Sequence, residues 1–200
     1  QSLTLEGDAA WIGGGSLLTS GGGAGQNFSF SGGSATVDPL VVGVSASYGG
    51  APALNLTLRV SSTNGAGVAL NNTATYGGAI NVIAWDGAAS ASNVNSGGGR
   101  IDLAAWAGDV DANGLISGGG QMYLTSFSNA VNATSVDAGA GLLTLAAQAD
   151  VTLGNVTATG GLSATANAGS IVGAVGNAVS VGTAPVTLIS RFGNIGVAAA

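Results

Sequence analysis

The chain has no cysteine, no histidine and no lysine among its 200 residues, and its only basic residues are Arg59, Arg100 and Arg191. Without thiols and imidazoles, disulfides, most structural zinc sites and the Ser-His-Asp and thiol nucleophile systems are excluded. A net charge of −6 cannot neutralise a phosphate backbone, which makes nucleic acid and anionic membrane surfaces poor partners. We therefore expect neither a cofactor nor a metal ion.

Long apolar runs are also missing, since no stretch approaches the roughly 18 consecutive apolar residues of a membrane-spanning helix. Charged residues make up only 6% of the chain, whereas about a quarter is usual in soluble domains. Gln1 is neither an initiator Met nor part of a basic region before an apolar stretch. These features predict a mature exported protein or a segment of a longer one, in either case extracellular or at the cell surface.

What the sequence does contain is a repeat with a period of about 21 residues, which is clearest between Ile80 and Val151. The segments 79–85, 100–106, 121–127 and 142–148 begin one period apart. A fixed period in this range is typical of a solenoid, in which each repeat buries its apolar face by stacking on its neighbours. We therefore predict one elongated domain.

Within each repeat, apolar residues occupy alternate positions, which indicates a strand with one buried face. Two further apolar positions and a glycine cluster, such as residues 118–120, complete the repeat. The absence of helical connections favours pairing of each strand with its equivalent one turn on. We predict an all-β fold, a right-handed parallel β-helix (solenoid) with about 21 residues per rung and three short strands per turn.

The N-terminal quarter follows this period only loosely. We expect irregular β-helix turns over residues 1–53 and regular parallel β-helix rungs over residues 54–200. A projecting loop is predicted near residues 38–52, because Pro39 and Pro52 cannot donate hydrogen bonds to a central ladder.

The glycine-bounded alternations at residues 98–105 and 141–153 resemble the haemagglutinin-type repeats of filamentous haemagglutinin and related two-partner-secreted exoproteins. The resemblance extends from Leu54 to Ala200 and implies a bacterial surface or secreted rod that displays adhesive regions. The chain is much shorter than those proteins usually are, and it has no recognisable N-terminal secretion-domain motif. The leading hypothesis is a non-enzymatic extracellular structural or adhesive rod.

Three aromatic residues, Trp85, Trp106 and Phe127, occupy one column of the repeat with the parity of outward positions. In one interpretation the rings stack only on one another at a corner and stabilise the coil. In the other they contact host or matrix glycans or another rod, because rings supply large contact area at low entropic cost.

Carboxylates offer the one route to an enzyme. Asp86, Asp109 and Asp150 fall near the same bend in different turns, and paired carboxylates are what glycoside hydrolysis needs. A polysaccharide-degrading β-helix is therefore a minor alternative. Such an enzyme normally also has bases and cationic partners along its groove, and the chain has neither His nor Lys. Solvated aspartates in turns are therefore the favoured interpretation.

Residues 109–116 match the first half of an EF-hand calcium loop, including a glycine at the sixth position, Gly114. The twelfth position, where a bidentate carboxylate belongs, is Gly120. Val110 and Leu115 already belong to the apolar columns of the repeat, so a regular rung is favoured over a calcium site.

Two further expectations concern modification and assembly. Asn-x-Ser/Thr sequons, at which export would permit glycosylation, occur at Asn27, Asn55, Asn71, Asn132 and Asn155. Strand-like segments without a cap near both ends, 3–5 and 186–190, predict partners that are other copies of the chain or flanking rungs of a longer one. The alternative function is therefore a self-assembling subunit of an extracellular filament or matrix fibre.

Overall fold

The computed structural model describes residues 2–7, 10–19, 27–32, 35–44, 57–62, 67–75 and 77–197, and for the first five of these segments the description covers backbone pairing alone. The described residues form strands and turns without a helix, so none of them belongs to a helix long and apolar enough to cross a membrane. The strands are β1 Ser2–Gly7, β2 Ala10–Thr19, β3 Asn27–Gly32, β4 Ala35–Val44, β5 Thr57–Ser62, β6 Val68–Thr75, β7 Ile80–Ala84, β8 Ala89–Asn95, β9 Ile101–Ala105, β10 Val110–Ile116, β11 Met122–Ser126, β12 Val131–Gly139, β13 Leu143–Ala147, β14 Val151–Ala158, β15 Leu162–Ala166, β16 Ile171–Gly173, β17 Val179–Ser180, β18 Val186–Ser190 and β19 Ile195–Val197.

These strands form two parallel sheets that run the length of the solenoid. The first sheet has nine strands in the order β1-β3-β5-β7-β9-β11-β13-β15-β18, and the second contains β2, β4, β6, β8, β10, β12, β14, β16 and β19, with β17 beside β14. Each strand pairs in parallel with its equivalent one turn on, so that Ile80 faces Ile101, Ile101 faces Met122 and Met122 faces Leu143. The predicted all-β parallel solenoid with about 21 residues per turn is confirmed.

The core lies between the two sheets and is built from stacked columns of aliphatic side chains. In β7, β9, β11, β13 and β15 the first, third and fifth residues are buried, and the residues between them are half-exposed. This is the alternation expected of strands with one face covered. Burying such columns supplies the main favourable free energy of folding, because each rung covers the apolar face of the next.

The regular turns contain two strands and not the three predicted from the sequence. In β10, Val110 and Leu115 are both fully buried although they are five positions apart, an offset that places residues of a regular strand on opposite faces. A bend at Gly114, whose φ is 73°, reverses the parity within the strand, and Asn93 with φ of 54° does the same in β8. The expected second and third strands are therefore one bent strand, and only β16 and β17 pair separately with β14.

The predicted projecting loop near residues 38–52 is wrong over residues 38–44, which belong to β4. The ladder between β4 and β6 passes from Val37–Leu70 to Leu40–Thr73 and omits Asp38 and Pro39, as the missing N–H of proline requires. Residues 45–52 lie outside the described residues, and the boundary at residue 53 stays a prediction.

Candidate functional site: the outer face of the first sheet

Trp85, Trp106 and Phe127 each follow the last residue of a strand in the first sheet. The backbone N–H of Trp106 donates to the carbonyl of Ala84, and that of Phe127 to the carbonyl of Ala105, both at 2.9 Å. These bonds continue the parallel ladder for one residue beyond each strand. The three side chains therefore leave neighbouring rungs at equivalent points, which we call the aromatic column.

The rings of the aromatic column stack on one another. The centroids of Trp85 and Trp106 are 5.4 Å apart with 19° between the ring planes, and those of Trp106 and Phe127 are 4.4 Å apart with 20°. The exposed fractions are 45%, 47% and 50%. Mutual stacking, the first of the two interpretations drawn from the sequence, is thus present, and contact with a partner stays a prediction.

This stacking decides which part of each ring faces solvent. Trp106 has a neighbouring ring on both faces, so its exposed surface is ring edge. Aromatic edges carry the positive part of the quadrupole, and indole adds an N–H donor. At its central ring the column therefore presents an edge suited to hydrogen-bond acceptors, rather than an open face on which a sugar ring could stack.

Planar polar groups continue the same column after the rings. The backbone N–H groups of Gln148, Asn167 and Arg191 donate to the preceding rung at 3.1, 3.0 and 3.0 Å, as those of Trp106 and Phe127 do. Three aromatic rings are followed by two amides and a guanidinium, all at equivalent positions. This extension was not predicted from the sequence. The period places Gln148 in this column, whereas Asn167 and Arg191 depart from the 21-residue spacing and are placed there by their ladder bonds.

A second group on the same face was also missed, and we call it the polar cluster: Arg100, Asp102, Gln121 and Tyr123. The Nε atom of Arg100 lies 2.8 Å from the carboxylate of Asp102. The guanidinium carbon of Arg100 lies 4.3 Å from the centroid of the Tyr123 ring in the next rung, and the hydroxyl of Tyr123 donates to Gln121 Oε1 at 2.9 Å. In the sequence, this cluster corresponds to two polar-apolar-polar triplets at equivalent positions of the repeat, Arg-Ile-Asp and Gln-Met-Tyr.

Between the polar cluster and the aromatic column lie short side chains. Ala104, Thr125 and Ala146 are the outward residues at the fourth position of β9, β11 and β13, and each is half-exposed. Because outward residues two apart along a strand are neighbours on one face, these three form the floor between the two groups. We call the whole arrangement the trough. Its long axis follows the stacking direction of the rungs.

The acidic residues considered for hydrolysis are engaged in turns. Asp109 Oδ1 accepts a hydrogen bond from the N–H of Ala130 at 3.0 Å, and Asp150 Oδ1 accepts one from Ser170 at 2.7 Å. The carbonyl of Ala130 accepts a ladder bond from Val110, and the carbonyl of Asp150 accepts the equivalent bond from Val131. Asp109, Ala130 and Asp150 therefore occupy one column, with Ala130 between the two aspartates. Asp86 directly follows the Trp85 column and lies in a different one. The structure therefore does not bring the three carboxylates together.

The calcium-loop match at residues 109–116 lies in a regular rung. Val110 and Leu115 are fully buried in the core, and Asp111 Oδ1 accepts a hydrogen bond from Asn132 Nδ2 at 2.8 Å. Among the residues that the structure describes, no three acidic, histidine or cysteine side chains are grouped so that they could hold a metal ion.

The sequons occupy different environments. Asn155 is exposed, and its Oδ1 accepts a hydrogen bond from the N–H of Ala178 at 3.1 Å. Asn71 and Asn132 are half-buried within strands, and Thr73 of the first of these sequons is buried. Asn27 begins β3, and Asn55 lies outside the described residues. Modification at any of them stays a prediction, with Asn155 the most accessible of those whose side chains are described.

Comparison with protein-family models finds no match, and comparisons with curated proteins and with solved structures find none either. The β-solenoid fold is therefore what the structure establishes. The resemblance to filamentous haemagglutinin repeats stays an interpretation of the sequence pattern.

Proposed function

We propose that the chain is a non-enzymatic extracellular rod with a structural and adhesive role, and that the outer face of its first sheet is the adhesive surface. The observation that carries this proposal is the aromatic column, in which three half-exposed rings are held one rung apart on a continuous parallel sheet. A rigid array of this kind loses little conformational entropy on binding.

The distribution of other side chains supports the choice of this face. Trp85, Trp106, Tyr123 and Phe127 all lie on it, together with the ion pair of Arg100 and Asp102. The described outward positions of the second sheet carry small or polar residues, with Ile116 and Val172 as the exceptions. Aromatic residues and arginine are enriched at protein recognition surfaces.

The test is adhesion of the purified chain to bacterial and host cell-surface material and to extracellular matrix, measured by retention on coated surfaces. Trp106→Ala should reduce retention roughly tenfold, as expected for loss of a central contact residue. Ile116→Ala is the matched control, because Ile116 is 40% exposed on the second sheet, and it should bind like the parent chain. Absence of retention on every surface would contradict the adhesive role.

A second candidate function is end-to-end assembly into a filament. At the last described rungs, the inward positions Val186 and Ile195 are 47% and 52% exposed, while the equivalent residues Leu162 and Ile171 one rung earlier are buried. Either a second copy or further rungs of a longer chain, stacked on this layer, would cover the apolar side chains and pair the outer edge of β18.

Light scattering against protein concentration tests this candidate, together with electron microscopy for unbranched fibres one solenoid wide. The carbonyl of Pro185 and the N–H of Arg191 form hydrogen bonds to β15. Backbone groups alternate in direction along a strand, and Leu188 is three positions from each of these residues, so its N–H faces away from β15. Leu188→Pro and Val186→Asp should therefore block association with little loss of internal ladder bonds, and Thr187→Asp, on the outward face, should not. A chain that stays monomeric at high concentration would exclude assembly.

A further inference from the structure

We propose that the trough on the first sheet binds one chain of a neutral polysaccharide, lying along the stacking axis between the polar cluster and the aromatic column. This inference rests on the adhesive role proposed above and names the chemical class of the ligand. It adds four residues, Arg100, Asp102, Gln121 and Tyr123, to the contact surface.

The polar cluster is held in place before any ligand arrives. Arg100 is fixed by the carboxylate of Asp102 at 2.8 Å and by the ring of Tyr123 at 4.3 Å, and Tyr123 is fixed by Gln121 at 2.9 Å. After these contacts, the guanidinium keeps further N–H donors, and the carboxylate and amide keep free lone pairs. Donors and acceptors on planar groups, held within two adjacent rungs, suit the neighbouring hydroxyls of a sugar, which both donate and accept.

The opposite wall supplies complementary groups. Among the described residues, no acceptor is bonded to the indole N–H of Trp85 or Trp106, and both side chains are nearly half exposed. Gln148 extends this wall by one rung in the same column. A hydroxyl-rich ligand can therefore accept hydrogen bonds from the ring edges on one side of the trough and exchange them with the polar cluster on the other.

The charge of the trough argues against a strongly ionic ligand. Arg100 and Asp102 form the one ion pair among the described residues, and together they carry no net charge. An anionic chain would meet the carboxylate, and a cationic chain would meet the guanidinium. Electrostatic complementarity therefore favours a neutral ligand.

The backbone and floor argue against a polypeptide ligand. β9 is paired with both β7 and β11, and β11 with both β9 and β13, so this face offers no open strand edge for addition of a peptide strand. Ala104, Thr125 and Ala146 have short side chains on strands that are paired on both sides, and they offer little of the packing around an anchoring side chain on which protein interfaces depend. A flexible, hydroxyl-rich chain needs neither feature.

The repeat sets the direction of the ligand. Equivalent side chains recur once per rung, at about the 4.8 Å spacing of paired strands. A polymer along this axis meets a new set of contacts at each rung, while a chain across the strands meets only one rung. Affinity should therefore rise with oligosaccharide length until the ligand spans the rungs from Trp85 to Gln148.

The experiment measures binding of neutral gluco-, manno- and galacto-oligosaccharides of increasing length, and of the corresponding polysaccharides, by calorimetry and affinity electrophoresis. We expect at least one neutral series to bind with affinity that increases with length. Arg100→Ala, Asp102→Asn and Trp106→Ala should each weaken it by about tenfold, the effect of removing a charge-assisted or central contact. Ile116→Ala should bind like the parent chain, and circular dichroism confirms that all variants are folded.

The outcomes separate this inference from the adhesive role. If Trp106→Ala abolishes adhesion while Arg100→Ala and Asp102→Asn leave it unchanged, the glycan inference is wrong and adhesion stands. The same conclusion follows if protease treatment is the only treatment of the coated surface that removes binding. Preferential binding of acidic or sulfated glycans over every neutral series also overturns it. A chain that binds neither surfaces nor glycans overturns both proposals.

Discussion

The two corners that bound each strand of the first sheet differ in the side chains that join neighbouring rungs. At the entry corner, glycine backbones of successive rungs are so close that an added Cβ would overlap a carbonyl of the preceding rung, as at Gly99, Gly120, Gly141 and Gly160. At the exit corner, large side chains stack face to face in the aromatic column. Glycine backbones also approach closely at the exit corner, where a Cβ on Gly108 would overlap the backbone of Gly87, so the stack of rings is what sets this corner apart.

This difference predicts how each corner responds to mutation. The entry corner has no space for an additional atom, because its neighbours are backbone atoms fixed by the ladder, and such overpacking cannot relax cheaply. The exit corner is nearly half exposed, so removal of a ring leaves solvent-filled space and no buried cavity. Substitutions of the entry-corner glycines should therefore affect folding most, and substitutions in the aromatic column should affect mainly recognition.

The largest effect is expected for Gly120→Ala. The new Cβ would overlap the carbonyl of Gly99, so the free energy of unfolding should fall by about 3 kcal/mol or more. Gly119→Ala is the comparison, because its Cβ would have nothing within 4 Å and only the φ of 115° is unfavourable, at about 1–2 kcal/mol. Urea unfolding followed by circular dichroism measures both, and equal midpoints would contradict the steric explanation.

A smaller loss is expected for Ser117→Ala at the same corner. The buried hydroxyl of Ser117 donates to Gly120 O at 2.6 Å and lies 3.2 Å from Ala138 O in the next rung, so its removal should lower the free energy of unfolding by about 1–2 kcal/mol. The equivalent residue one rung on is already alanine, Ala138. The reverse change Ala138→Ser should leave stability within about 0.5 kcal/mol or raise it, and a marked loss there would count against this role of the serine.

Trp106→Ala should reduce stability by about 1–2 kcal/mol, because the central ring contributes two stacking contacts. A stack of two indoles also gives exciton-coupled circular dichroism, and this signal should disappear in the variant. Gln148→Ala, in the same column two rungs beyond Trp106, should keep both the signal and the stability. Persistence of the exciton signal without Trp106 would show that the Trp85–Trp106 stack is not its source.

The smallest effect is expected for Arg100→Ala, about 0.5–1 kcal/mol, since an exposed ion pair and one cation–π contact are lost. The loss should shrink further at high salt, because exposed charges are screened. Thermal unfolding at low and high ionic strength measures it. A loss as large as that of Ser117→Ala would place Arg100 in the structural rather than the recognition part of the rung.

The fold could be predicted because each copy of the repeat shows the same pattern of apolar positions. One column of the repeat contains only apolar residues, because each of them occupies the same buried position in the coil: Ile80, Ile101, Met122 and Leu143. This requirement can be recognised in the sequence. The strand count per turn was wrong because the bend at Gly114 changes parity within one strand. A change of parity reads in sequence as two separate strands.

The candidate site was only partly predictable. Its aromatic column followed from the period, since residues one period apart must be neighbours in a parallel coil. The polar cluster did not follow from the period, because Arg100 contacts Asp102 within one rung but Tyr123 in the next. A repeat pattern does not determine the direction in which long, flexible side chains point.

The sequence by itself thus determined the solenoid, the inward columns and the position of each residue around the rung, because these depend on a period that backbone hydrogen bonding enforces. Only the tertiary structure decided that the rings of the aromatic column stack and expose edges, that Asp109 and Asp150 are used in turns, and that the polar cluster faces the rings across a floor of small residues. The physical reason is that side-chain direction depends on contacts between rungs, which no single repeat contains.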